Sequence, residues 1–323
     1  MDRLKLLVTG GLGFIGSNFI RHMLASYPEC TIANLDAITY AGNPANLADI
    51  ENDPRYSFTQ GNIFDRQCVE SVFSHHAIDT VVHFAAESHV DRSIQDSSAF
   101  AKTNVLGTQT LLDAALSNTC SRFVHISTDE VYGSAVKGSF KETDMLNPSS
   151  PYSASKAASD LLARAFFITH GLPVIITRCT NNFGPYQYPE KLIPFFVTNL
   201  LKEKKVPVYG TGKNIRDWIY VMDHCHAIDF VLHHGVEGEI YNIGSGNEKT
   251  NLDITNQILK ILNRDSSSIE FVKDRLGHDW RYSLDSSKLR AMGWKPQTSF
   301  ETALKETVEW YVRNEWWWQP LLR

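Results

Sequence analysis

The sequence predicts an α/β protein, a doubly wound parallel sheet with a smaller C-terminal substrate-binding lobe. Three observations predict it. Short apolar runs alternate with longer amphipathic ones through the first half of the chain, as in successive βαβ units. The first run empties directly into a glycine-rich turn and then a helical stretch, and an aspartate closes the second run. Beyond about residue 179 the alternation loosens into loops, NNFGPYQYPEK, VYGTGKN and IGSGNEKT, between short elements.

Strands are expected at 4–9, 31–36, 56–60, 80–84, 122–127 and 173–178, each a run of β-branched and other apolar residues. Helices are expected over Phe14–Ser26, Arg66–Ser74, Ala99–Ser117 and Tyr152–Thr169. The expected division is 1–178 for the sheet domain, with part of 215–245 returning to it, and 179–323 for the second lobe. In an open sheet of this kind ligands sit outside the carboxyl ends of the strands. The tryptophans of NEWWWQPLLR near the C-terminus are expected to seal a hydrophobic seam.

The composition narrows the class further. A chain of 323 residues with 43% apolar and 21% charged residues can build a sizeable core. A net charge of −5 gives no electrostatic footprint for nucleic acid or an anionic membrane. Five scattered cysteines, Cys30, Cys68, Cys120, Cys179 and Cys225, form no CxxC, so reduced thiols in a cytoplasmic protein are expected. MDRLKLLVTGG breaks into glycines too early for a signal peptide or a membrane span.

Gly10-x-x-Gly13-x-x-Gly16 follows the first strand and opens the first helix. Glycines there permit a tight turn and close approach of backbone to a pyrophosphate at the helix N-terminus. Asp36 ends the next strand 20 residues past Gly16. Its carboxylate can accept from a ribose 2′-hydroxyl and would repel a 2′-phosphate, so the Rossmann-type pattern predicts NAD rather than NADP.

In PSSPYSASKAASD, Ser150 can cap a helix whose first turn holds Pro151. Tyr152 and Lys156 then stand four apart on one face. A phenol with a pKa of about 10 is a poor base at neutral pH; an ammonium and a positive nicotinamide ring nearby favour the phenolate. Glycine spacing and Tyr-x-x-x-Lys together resemble the extended short-chain dehydrogenase/reductase superfamily.

HISTDEVYG, residues 125–133, poses a puzzle. Alcohol oxidation needs the tyrosine, the lysine and a hydroxyl such as that of Thr128, and leaves Asp129 and Glu130 unused. Thr-Asp-Glu resembles the dTDP-glucose 4,6-dehydratases. HFAAESHVDRSI (83–94), TNVLGT (103–108), STDEVYG (127–133), PYSASKAASD (151–160), NNFGPYQYPEKLIP (181–194), VPVYGTGKNIRDWIYVMDHC (206–225), YNIGSGNEKTNL (241–252) and DRLGHDWRY (274–282) follow that family's blocks in order. Oxidising a hexose at C4 acidifies the hydrogen on C5. Its removal needs a base, loss of the C6 hydroxyl needs an acid, and two carboxylates with split pKa values can serve both. The resemblance implies Glu130 as the base and Asp129 as the proton donor, with NAD tightly bound and regenerated each turnover. Successive residues of a regular strand point to opposite faces, so the two acids can meet one sugar only if the strand ends or twists there.

The resemblance also implies cofactor contacts at Phe14, Ile15, Thr39, Asn62, Ile63, Ala85, Ala86, Thr103 and Asn182. It implies substrate contacts at Ser88, Asn181, Lys191, Leu192, Pro207, Val208, Tyr209, Asn251 and His278. Arg216 and Arg275 are candidates for the diphosphate, since guanidinium binds phosphate bidentately. A homodimer through the two long helices is implied as well. Asn62 stands in the GDI block where the family commonly has Asp, and Thr180, Phe183 and Trp280 also depart from its commonest residues. His224, Cys225 and His226 lack a second ligand group at usable spacing, and no metal is expected. The alternatives are a 4,6-dehydratase of another nucleotide sugar such as UDP-glucose, a nucleotide-sugar 4-epimerase, and a catalytically silent NAD-sensing regulator.

Overall fold

The computed structural model describes residues 4–274 and 280–322; the substrate candidates Arg275 and His278 lie outside the described residues. The strands are β1 (Lys5–Thr9), β2 (Thr31–Asp36), β3 (Tyr56–Gln60), β4 (Thr80–His83), β5 (Arg122–Thr128), β6 (Val174–Cys179), β7 (Asn181–Phe183), β8 (Val206–Tyr209), β9 (Ile215–Tyr220), β10 (Ile240–Ile243), β11 (Glu248–Thr250) and β12 (Ile269–Val272). The helices are α1 (Phe14–Ser26), α2 (Arg66–His76), α3 (Val90–Gln95), α4 (Ser98–Phe100), α5 (Thr108–Ser117), α6 (Pro151–His170), α7 (Leu192–Leu201), α8 (Val221–His234), α9 (Asn251–Ile261), α10 (Ser287–Ala291), α11 (Phe300–Arg313) and α12 (Glu315–Trp318).

Seven strands form one parallel sheet in the order β10-β6-β5-β4-β1-β2-β3. The chain winds outward from β1 in both directions, so the crevice between β1 and β4 is a topological switch point. Alternation along the strands divides the core. Leu6, Val8, Val82 and Val124 pack on one face against α1 and α8. Leu7, Val81 and Phe123 pack on the other against α2, α5 and α6. Buried on both faces, these strands read as continuous apolar runs.

After β6 the chain leaves the sheet and later comes back. β11-β9-β7 form a small sheet and β12-β8 a parallel ribbon, covered by α7, α9, α11 and α12 around a separate core. Between these elements α8 packs on α1 and β10 joins the large sheet beside β6. The tryptophan run divides: Trp317 and Trp318 are buried in the second core, whereas Trp316 is exposed. The Trp317 indole N–H donates to Asn46 Oδ1 at 2.8 Å, tying the C-terminal helices to the segment after β2.

Most expected elements differ from the observed ones by a residue or two at their ends. The expected helix Ala99–Ser117 is corrected: α4 passes through a π-helical stretch, Ala101–Gly107, before α5 begins. The physical reason is Asn104. Its amide accepts from Glu87 N at 2.9 Å and donates to Glu87 O at 3.0 Å and to Ser155 Oγ at 2.8 Å. Holding the loop after β4 and α6 together favours local π geometry, a device common beside functional sites.

Candidate functional site

One cleft opens at the carboxyl ends of β1, β2, β4, β5 and β6. Its lining includes Gly10, Gly13, Phe14, Ile15, Gly16, Asp36, Thr39, Asn62, Ile63, Ala85, Ala86, Thr103 and Asn182 on the expected cofactor side. Thr128, Asp129, Glu130, Tyr152 and Lys156 line it too, with Ser88, Asn181 and Lys191 from the expected substrate set.

The glycine turn suits an anion. Gly13 is the N-cap of α1, no side chain caps that end, and the first turn carries no acidic residue. The first N–H groups are thus left for a ligand, where the helix dipole favours negative charge. The glycines are also required by their neighbours. Gly10 has φ +71°, and a Cβ on Gly16 would stand 2.4 Å from Gly10 O. Asp36 is buried, its Oδ2 accepting from Leu12 N at 2.9 Å and its Oδ1 from Ile38 N at 2.8 Å. These bonds fix a carboxylate at the strand end and leave lone pairs for a diol. A glycine cradle, an uncapped helix end and a fixed acid together fit an adenine dinucleotide without a 2′-phosphate.

The two acids meet the condition set by strand geometry. β5 ends at Thr128, and Asp129–Tyr132 form a 3-10 turn with Thr128 as its N-cap. Thr128 Oγ1 accepts from Glu130 N at 3.3 Å and donates to Asp129 Oδ1 at 3.1 Å. The change from strand to turn abolishes the two-residue alternation, and both carboxylates line the same cleft. Asp129 is 4% exposed and its Oδ2 has no hydrogen-bond partner. Burial, then the Glu130 charge, pushes its carboxyl up to about 8, with Arg216 pulling the other way. Asp129 therefore holds a proton at neutral pH.

Tyr152 lies in the first turn of α6, which carries a capping box of Ser150 and Ser153. Burial and then the Glu130 charge push its phenol well above 10, while the Thr128 hydroxyl acts in the opposite sense. Lys156, one turn further along α6, lines the same cleft as Tyr152. Lys156 Nζ donates to Ile126 O at 2.7 Å, because the buried side chain crosses to β5 rather than running along its own helix. Burial lowers its ammonium to about 8. The chain by itself thus keeps the phenol protonated.

Other expected contacts lie outside this lining. Leu192 opens α7 and Asn251 opens α9. Pro207, Val208 and Tyr209 are on β8, with the Val208 side chain in the second core. Arg216 is nearly buried on β9, its guanidinium 4.5 Å from the Tyr282 ring centroid. The structure also adds lining residues that the sequence reading missed: Tyr40, Glu87, Cys179, Gln187, Tyr188 and Glu190. Tyr40 OH donates to Glu190 Oε1 at 3.1 Å, a contact across 150 residues that no local pattern announces. Gln187 and Glu190 sit inside the matched block NNFGPYQYPEKLIP, which was the available signal. His224 donates from Nδ1 to Asn182 Oδ1 at 2.8 Å. Among the described residues no group of three His, Cys, Asp or Glu is placed to hold a metal ion.

Known proteins give the same picture. The family model for GDP-mannose 4,6 dehydratase matches residues 7–307. A dTDP-glucose 4,6-dehydratase of Streptomyces niveus is 52% identical, over 98% of this chain and 96% of that protein. The structure of DesIV, the dTDP-glucose 4,6-dehydratase of Streptomyces venezuelae solved with NAD and dTDP, is 54% identical with a TM-score of 0.95. It covers 98% of this chain and 99% of that one. A UDP-glucose 4-epimerase of Thermus thermophilus shares the fold at a TM-score of 0.89 but only 29% identity, over 96% and 99% of the two chains. With half its residues shared over nearly full length, and the acid pair that 4-epimerisation does not need, the chain belongs to the nucleotide-sugar 4,6-dehydratase family, among the dTDP-glucose 4,6-dehydratases.

Proposed function

We propose that the protein converts dTDP-glucose to dTDP-4-keto-6-deoxyglucose and water, as an NAD-dependent hydro-lyase. The observation that carries this reading is one cleft holding the Thr128-Asp129-Glu130 turn beside Tyr152 and Lys156. The Gly10–Gly16 turn, Asp36, Asn62 and Ile63 would hold NAD, which would take up the hydride lost from C4 and give it back at C6.

Tyr152 takes the proton of the C4 hydroxyl, with Thr128 orienting the same oxygen. The positive charge of the oxidised cofactor, added to Lys156, offsets the burial that holds the phenol high. Glu130 removes the C5 proton once C4 is a ketone and gives a proton back to C5 as C6 is reduced. Asp129, protonated at neutral pH, donates to the departing C6 hydroxyl, and its unpartnered Oδ2 supports that role. Burial of Asp129, with the Glu130 charge beside it, keeps that proton in place.

The nucleotide sugar lies against 179–323 and the cofactor against 1–178 with the returning part of 215–245. Asn181, Lys191 and Ser88 contact the sugar end, and Arg216 the diphosphate. The enzyme works in the cytoplasm as a homodimer. The five cysteines, all free, support the compartment, and exposed Leu106, Leu161 and Ile168 on the helices 98–117 and 151–170 support the dimer. Among the described residues no helix is long and apolar enough to cross a membrane.

Purified protein incubated with dTDP-glucose should form a 4-keto-6-deoxy product without net NADH. Turnover of UDP-glucose but not dTDP-glucose would move the assignment to another nucleotide. A C4-inverted product with no loss of water would make it an epimerase, and cofactor binding with no turnover would favour a silent regulator.

A further inference from the structure

Beneath the acid turn runs a buried polar chain to which the reading above gives no part. Asp160 follows Lys156 by one turn of α6 and is 1% exposed. Arg178 of β6 donates from Nε to Asp160 Oδ2 at 2.8 Å and from an Nη to the Tyr132 phenol oxygen at 2.6 Å. Its guanidinium also lies 4.7 Å from the Tyr132 ring centroid. The Tyr132 hydroxyl donates to Asn242 Oδ1 of β10 at 3.0 Å, and its ring stacks on Phe140 at 5.1 Å. Tyr132 is the last residue of the 3-10 turn that begins at Asp129. Asp160 Oδ1 has no hydrogen-bond partner, with His125 Nε2 3.4 Å away.

We propose that Asp160, set in place by Arg178, is the counter-charge that keeps Lys156 cationic, and that Arg178 acts through Tyr132 to fix the turn carrying Asp129 and Glu130. Both are positioning residues. A buried ammonium is costly without an anion, and the Ile126 carbonyl that Lys156 reaches carries no formal charge. Asp160 from its own helix, His83 from β4, His125 from β5 and Cys179 from β6 act on Lys156 electrostatically. Tyr152, Asp129 and Glu130 line the same cleft as Lys156, and Arg178 of β6 reaches Asp160. Burial holds both histidines neutral, Asp129 is protonated, and burial keeps the Cys179 thiol intact. Burial would raise the Asp160 carboxyl too, but His125 and Arg178 outweigh it and keep it ionised. Asp160 is thus the anion that shares Lys156's helix and burial. Arg178 balances that anion and ties it to the turn, so one ion pair couples the redox pair to the acid–base pair.

This inference rests on Lys156 acting with Tyr152 as proposed above, and its first test needs no turnover. Protein labelled with 13C at lysine Cε is titrated by NMR with NAD present, the Lys156 resonance being assigned by its loss in Lys156→Arg. Asp160→Asn should lower the Lys156 midpoint by about one pH unit or more, and Asp160→Glu should restore it. Arg178→Gln removes the cation that holds Asp160 ionised and in place, so it should lower the midpoint as well. A general loosening of the fold would relieve burial and move the midpoint upward instead. A lowered midpoint in Asp160→Asn supports the proposal; an unmoved or raised midpoint overturns it. If Asp160→Asn does not fold, Arg178→Gln decides by the same direction. For the second limb, Tyr132→Phe should leave the Lys156 midpoint in place and slow loss of the C6 hydroxyl about tenfold relative to C4 oxidation. An equal effect on both steps overturns that limb. A wild-type enzyme inactive on dTDP-glucose would sink the substrate assignment while leaving the titration readable.

Discussion

Asp129 and Glu130 are neighbours in sequence but not in environment. Asp129 is 4% exposed and has an unpartnered carboxyl oxygen, whereas Glu130 is only partly buried. Burial and the Glu130 charge hold the Asp129 proton up to about pH 8, and that predicts what single substitutions do. Asp129→Asn cannot donate a proton to the C6 hydroxyl, so dehydration should slow by about 10²-fold or more. C4 oxidation, read as transient NADH in a single turnover, should persist. Tyr152→Phe should suppress that NADH signal itself. An acid whose pKa is raised on folding holds its proton more tightly when folded. Its contribution to stability is full below the unfolded value of about 4 and is lost as pH rises through about 8. The melting temperature of wild type should therefore fall more between pH 6 and pH 9, roughly, than that of Asp129→Asn. Parallel pH curves would show that the carboxyl is not buried in its protonated form.

At the scale of elements, local sequence signals governed the cofactor side. Gly16 cannot carry a Cβ, which would stand 2.4 Å from Gly10 O and 2.9 Å from Gly11 Cα. Gly16→Ala should open the turn, and purified protein should retain far less NAD, measured after denaturation. Ser150 and Ser153 cap α6 reciprocally, Ser153 N donating to Ser150 Oγ at 3.1 Å and Ser150 N to Ser153 Oγ at 3.0 Å. Ser150→Ala should cost about 1 kcal/mol, read as a lower denaturant midpoint. Because Tyr152 sits in that first turn, kcat should fall with it. These signals are legible because a turn or cap is decided within a few residues. The π-helical stretch was not legible. Its cause, Asn104 bonded to Glu87 and Ser155, joins three segments far apart in sequence.

For the whole molecule, the second lobe is stitched to the first by its C-terminus. Trp318 is buried in the core of that lobe, Trp317 reaches Asn46, and Tyr311 OH donates to the carbonyl of the cleft residue Gln187. Trp318→Ala should destabilise the protein by about 3–5 kcal/mol. Activity should be lost at a lower temperature than in wild type, since the same helices support the 181–191 wall of the cleft. The seam was expected from three tryptophans in a row, but which of them face inward was not. Trp316 is 61% exposed because α12 turns it away from the core that its two neighbours enter.

The sequence by itself determined the parallel sheet, the glycine turn with Asp36, the placement of Tyr152 and Lys156 on one helix, and the membership carried by Thr128-Asp129-Glu130. Each follows from periodicity, backbone sterics or a contiguous motif, which are properties of neighbouring residues. The tertiary structure decided the rest. It ended β5 at Thr128 so that both acids meet one cleft, sent Lys156 to the Ile126 carbonyl, and raised Asp129 by burying it. It also joined Asp160, Arg178 and Tyr132 into one buried chain. Desolvation and charge pairing depend on what packs around a group, and that is set by segments tens to hundreds of residues away.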